Sequence, residues 1–128
     1  MLSGKWGEIT LNLLRIMAGF LFLEHGAQKL FGAFGGEAVS EFVSLRGLAG
    51  VLEFFGGLMI LFGIFVRPVA FVLSGLMAVA YWMSHGPNAF WPIQNRGELA
   101  ALYCFVFLFL WAHGGGSFSV DGLRRRGN

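Results

Sequence analysis

Four long apolar runs dominate the sequence, at about 9–31, 47–66, 68–86 and 98–113. A helix needs roughly 20 mainly apolar residues to cross the hydrocarbon layer of a membrane. Within that layer only helices and closed barrels satisfy every backbone N–H and C=O. The runs are continuous rather than alternating, and four strands could not close, so helices are expected. The breaks between runs agree. Arg67-Pro68 follows the second, Gly86-Pro87 ends the third, and Gly114-Gly115-Gly116 ends the fourth; Pro suits a turn or a helix start, and Gly stops a helix. The expected fold is all-α: an integral membrane four-transmembrane-helix bundle, up-down-up-down, in a single domain over 1–128. Val39, Phe42 and Val43 stand at helical spacing within 32–46, with Glu37 and Glu41 elsewhere. This predicts a short interfacial helix between spans 1 and 2. Phe90, Trp91 and Pro92 predict that 87–97 folds back at headgroup level.

Composition supports a membrane reading and narrows the partners. Charged residues make up 12% of the chain, about half the share in a soluble domain. The net charge is +2, with Arg124, Arg125 and Arg126 together near the end. That pattern suits an anionic bilayer surface and not a nucleic acid. The single cysteine, Cys104, forms neither an internal disulfide nor a CxxC pair. Arg15 interrupts the first apolar run, and no small-x-small site follows it, so the first run is expected to be a retained span. With four spans, Lys5, Arg67 and the three final arginines share one side, against Arg46 and Arg96 on the other, with Lys29 near its boundary. The positive excess puts both termini in the cytoplasm.

Ionisable groups inside spans are costly and are candidates for function. Glu24, His25 and Lys29 lie late in the first span, Glu53 early in the second, His85 at the end of the third and Glu98 at the start of the fourth. An up-down bundle brings all six into one half of the membrane, which suggests a ligand-binding pocket open to one face. Arg15 and His113 lie toward the other side. At about 100° per residue, Arg15, Gly19, Phe22, Gly26 and Lys29 form one stripe, with Glu24 opposite and His25 to its side. Gly50, Glu53, Gly57 and Ile60 share a face, as do Ser74, Ala78, Tyr81 and His85, and Glu98, Leu102, Phe105 and Phe109. Plainer roles stand beside these. Glu53 would pair with Arg15 or Lys29 to lock the bundle. Lys29 would snorkel to the headgroups. Asn95-x-x-Glu98 has the spacing of an N-cap and its N3 carboxylate. Arg15 would be structural, His113 would complement a helix C-terminus, and His25 and His85 would be interfacial hydrogen-bonding groups. Haem between His25 and His85 is a further reading, without a CxxCH motif; no zinc or other metal set is visible.

Arg15-x-x-x-Gly19 and the run Glu24-His25-Gly26-Ala27-Gln28-Lys29-Leu30 resemble the first helix of DoxX-type membrane proteins. Glu53-Phe54-Phe55-Gly56-Gly57 with Gly63 and Arg67 resembles their second helix and turn. Asn95-x-Gly97-Glu98-Leu99-Ala100 resembles the start of their fourth, and Gly114 to Asp121 their glycine-serine-aspartate ending. The resemblance covers nearly the whole chain. It implies a bacterial inner-membrane protein with a loose link to redox and sulfur metabolism, some relatives being subunits of a thiosulfate–quinone oxidoreductase. Eukaryotic relatives act as receptor-assembly chaperones. The chain lacks a dithiol, a nucleotide fingerprint and a metal set, so electron transfer would need a bound quinone or a partner subunit, and catalysis alone is not expected. Two readings stay open. One is a redox-linked subunit that binds a quinone-like or other small amphiphile, with no covalently bound cofactor. The other is a non-catalytic assembly or scaffold protein for a partner complex. Homo-oligomers suit either reading. A transporter is a weaker third, since four helices leave little room for a path unless the protein oligomerises.

Overall fold

The computed structural model describes residues 4–36, 38 and 44–126, and none of these forms a strand. Helix α1 spans Gly4–Phe31, α2 Leu45–Phe62 and α3 Val66–Ala80; a π-helical turn, Tyr81–His85, continues α3. A single turn, α4, covers Pro92–Asn95, followed by α5 at Glu98–His113 and α6 at Val120–Arg126. α1, α2 and the continuous helix Val66–His85 are long and apolar enough to cross a membrane; α5 is apolar and shorter, at 16 residues. The chain is a multi-pass membrane protein of helices. Glu37, Val39, Glu41, Phe42 and Val43, on which the interfacial helix expected over 32–46 rests, fall outside the described residues; the described part holds a 3-10 turn, Ala33–Gly35.

The first two helices pack along each other because glycines remove the side chains between them. A Cβ on Gly57 would lie 2.6 Å from the Leu23 backbone nitrogen, and one on Gly19 would lie 2.8 Å from the Gly57 carbonyl. Without a hydrophobic drive between helices in lipid, such backbone contact is what holds a pair together. The third helix packs along α5, joined by Ser74 Oγ donating to the Cys104 carbonyl at 2.8 Å. Helices α2 and α3 meet more sparsely. They touch where Gly56 lies under Leu73, with 2.9 Å available to a Cβ. Phe22, Ile60, Leu73, Phe107 and Leu110 fill the core between the pairs.

Several boundaries differ from those of the apolar runs: α1 begins at Gly4 rather than near 9 and α2 at Leu45 rather than 47, and two further differences have a visible cause. α2 stops at Phe62 rather than near 66, because Gly63 takes the left-handed conformation at φ 74° and caps it. α3 therefore starts at Val66, and Pro68 falls in its first turn, where a missing N–H costs nothing. Its N-terminus is capped from a distance: the Asp121 carboxylate accepts from Phe65 N and Val66 N, both at 2.9 Å. That contact holds Phe65 at φ 47°, a conformation bulky residues rarely adopt.

The segment after α5 is locked to the same end. Arg15 is 1% exposed and donates to the carbonyls of Gly115 at 2.7 Å and Phe118 at 2.8 Å, and to Asn12 Oδ1 at 3.0 Å. Carbonyl dipoles rather than a carboxylate take its hydrogen bonds. Asn12 Oδ1 also accepts from Phe118 N, and Glu8 from Ser117 N. His113 is exposed, stacks on Phe109, and its carbonyl accepts from Arg67. Arg15 thus ties this end of the bundle together, and the His113 backbone carbonyl, not its imidazole, joins α5 to Arg67.

Candidate functional site

At the other end the helices part. Beyond the Gly56–Leu73 contact, a cavity of about 760 Å³ opens between α1, α2, α3 and α5. Phe22, Ala100 and Tyr103 form its buried back wall. Leu45 and Leu48 on α2, and Val72, Gly75, Val79 and Met83 on the α3 side, line it and are exposed. The front is therefore an apolar gap between α2 and α3, facing where lipid would lie.

Polar groups gather in the wall. Glu53 is 2% exposed on α2, beside glycines that let α1 come close, and its Oε2 accepts from Lys29 Nζ at 2.5 Å. The other carboxylate oxygen, Oε1, is buried with no hydrogen-bond partner among the described residues. A buried carboxylate oxygen without a donor is unfavourable and calls for an explanation. His25 lies edge-on to Phe22 and Tyr103, with ring centroids 6.4 Å from each.

His85 ends the π turn, closed by Gly86 N donating to the Tyr81 carbonyl at 2.7 Å. Such a turn inserts a residue and re-aims the side chains after it; π turns recur at functional sites. The His85 Nδ1 lies 3.1 Å from the Asn95 carbonyl. A carbonyl only accepts, so Nδ1 is the donor in this contact. Asn95 is itself 2% exposed. It donates to Tyr81 Oη and the Ala89 carbonyl, both at 3.0 Å, and its Oδ1 accepts from Gly97 N at 2.8 Å.

The structure brings His25, Lys29, Glu53 and His85 to one cavity. It does not bring Glu24 or Glu98 there. Glu24 lines a separate small recess with Leu21, Gln28 and His25, which also lines the main cavity, and Glu98 is exposed. The capping role for Asn95-x-x-Glu98 is a correction: Gly97 is the N-cap of α5 and makes no side-chain cap. Arg96 takes the left-handed conformation at φ 63°, so the helix cannot run on from α4 and Asn95 serves the turn instead. Glu53 pairs with Lys29, while Arg15 is committed at the opposite end. Sequence reasoning missed Arg46, Ser84, Arg96 and Tyr103, which also line the cavity. Arg46 and Arg96 had counted only as loop charges.

The fold and site define a helical membrane protein with a polar-ended, apolar-fronted cavity in one half of the bundle. A family profile described as DoxX matches residues 10–86, and the chain belongs to the DoxX family. It is 37% identical over 125 residues to an uncharacterized protein of Haemophilus influenzae, covering 91% of this chain and 92% of that one. It is 29% identical over 128 residues to the inner membrane protein YqjF of Escherichia coli, covering 93% and 95%. No solved structure matches.

Proposed function

We propose that this protein is a redox-linked subunit of the inner membrane that binds a quinone-like or other small amphiphile in the α1–α2–α3–α5 cavity. The observation that carries the reading is the cavity's division: Lys29, Glu53, His25 and His85 at its polar end, aliphatic side chains at its front. Ligand sites of this kind are largely apolar, with a few convergent polar groups that fix orientation. His85 supplies a hydrogen bond or proton to the head group, Glu53 accepts a hydrogen bond from it, and Lys29 offsets the acidic charge. Electrons come from a partner subunit or the ligand itself. The inner-membrane location is supported by the description of the Escherichia coli relative. The topology that suits the site is four spans with both termini cytoplasmic, which puts the cavity in the outer half.

Mass spectrometry of small molecules retained under mild detergent tests the reading. The wild-type protein should retain an amphiphile. A Leu76→Trp variant, which fills the cavity from its α3 wall, should lose it while its bundle stays folded. Equal retention by both proteins, or a stoichiometric protein partner with no small ligand, rejects the reading in favour of a scaffold.

A further inference from the structure

Resting on that reading, we propose that the ligand's head group carries a hydroxyl that donates to Glu53 Oε1, while its apolar tail leaves the cavity through the gap between α2 and α3. Two observations carry this. The first is the orphaned oxygen. Lys29 Nζ already donates to Oε2 at 2.5 Å, and a carboxylate oxygen paired with an ammonium is an acceptor. Oε1 lacks a donor although the side chain is 2% exposed and stands in the cavity wall. A head group that offers only carbonyl or ether oxygens would leave it unsatisfied and add acceptor repulsion. A hydroxyl donates to Oε1 and can still accept from the free N–H groups of Lys29.

The second observation is the shape of the opening. Gly56 on Leu73 pins α2 to α3 at one level. Past it, Leu45 and Leu48 on α2 and Val72, Gly75, Val79 and Met83 on the α3 side line the cavity and are exposed, while Phe22 on α1 and Tyr103 on α5 at the back are buried. Gly75 lies in this gap, with nothing within 4 Å of where its Cβ would stand. Between Leu48 on α2 and Val72, Gly75 and Val79 on α3 the entrance is apolar and faces the bilayer, which suits a chain; the exposed Arg46 and Ser84 line the cavity nearer its polar end.

The shared chemistry, a hydroxyl on an apolar tail, could come from an aromatic quinol or from a polyol lipid head. Two probe pairs separate the sources: decyl-hydroquinone with its dimethyl ether, and decylglycerol with its dimethyl ether. Each is titrated into the purified full chain in mild detergent. In at least one pair the hydroxyl form should bind roughly tenfold or more tighter than the ether, as expected for a hydrogen bond to a charged group. The preferring pair names the source. Glu53→Gln should bring that preference within about twofold, because the amide can donate to the ether oxygens. Gly75→Trp, at a position with room for a side chain, should abolish binding of both members. Binding that Leu76→Trp removes but that shows no hydroxyl preference would overturn the proposal and leave the cavity reading standing. Unchanged binding in Gly75→Trp would overturn the tail route. No binding of any probe would overturn both the proposal and the reading beneath it.

Discussion

Lys29 Nζ lies 2.5 Å from Glu53 Oε2, and this ion pair joins α1 to α2 in the wall of the cavity. The partners are unequal, since the Lys29 side chain keeps 26% of its exposure and Glu53 only 2%. Removing the lysine leaves a carboxylate that cannot reach water. Removing the carboxylate leaves an ammonium that can snorkel outward. Lys29→Met should therefore destabilise the bundle by about 2–3 kcal/mol, below the usual cost of breaking a fully buried pair. Glu53→Gln should cost less, and the double variant should recover at least half of the Lys29→Met loss. Unfolding in mixed detergent micelles measures all three. A double variant as unstable as the sum of the singles would show that the pair is not coupled.

The glycine contacts give a second prediction. Gly57→Ala would place its Cβ 2.6 Å from the Leu23 nitrogen, in backbone that cannot step aside. The α1–α2 pair must separate, and the expected loss is about 1–3 kcal/mol. Gly75→Ala is the control: its Cβ meets open space, and helix propensity alone predicts a gain of up to about 1 kcal/mol. The same micelle unfolding should rank Gly57→Ala below wild type and Gly75→Ala at or above it.

These contacts also show which parts of the fold the sequence made legible. The stripe of Arg15, Gly19, Phe22 and Gly26 is the buried face of α1, and Gly50, Glu53, Gly57 and Ile60 lie on that of α2. Both faces could be read because small and polar residues stand out against an apolar helix. The fifth helix has no such contrast. It is apolar all round, so periodicity says nothing about which side packs. The face with Glu98, Leu102, Phe105 and Phe109 turns outward, and Ala100, Tyr103, Phe107 and Leu110 turn in. The placement of His85 was legible in depth but not in angle, since a π turn rotates it and nothing in Tyr81–His85 announces one. The part of the site formed by Arg46, in the first turn of α2, and Arg96, between α4 and α5, was hidden for another reason: residues at helix ends enter a cavity only through tertiary folding.

The locked segment after α5 supports a third prediction. Asp121 caps two N–H groups of the α2–α3 turn, and Arg15 holds the carbonyls of Gly115 and Phe118. Asp121→Ala should cost about 1 kcal/mol, the usual loss for a helix cap. Arg15→Met should release residues 114–119 and make them a site of rapid protease cleavage. The cavity is at the other end, so Asp121→Ala should leave probe affinity unchanged. Resistance of Arg15→Met to cleavage would mean that the other contacts suffice.

The fourth prediction concerns the crossing of α5. This helix is 16 residues long, or about 24 Å at 1.5 Å per residue, short of a full span by itself. It nevertheless packs along α3. Its start lies beside the turn held by Asn95, and its end lies beside Arg15 and Arg67. Exposed Trp82, Phe90 and Trp91 mark the first level, and exposed Trp6 and Phe118 the second, as aromatic side chains do at the two membrane surfaces. A helix that runs from one aromatic level to the other would cross the layer between them, with its flanking glycines and Arg96 at the interfaces, and the expected outcome is four spans. Lys5, Arg67, Arg124 and Arg125 gather at the Trp6 end, and the positive-inside tendency predicts that this end is cytoplasmic. A fluorescent-protein fusion at the end of α6 should glow, and an alkaline phosphatase inserted in the 87–97 loop should be active outside. Reports from the same side would mean that α5 returns without crossing, and would take the outer-half location of the cavity down with it.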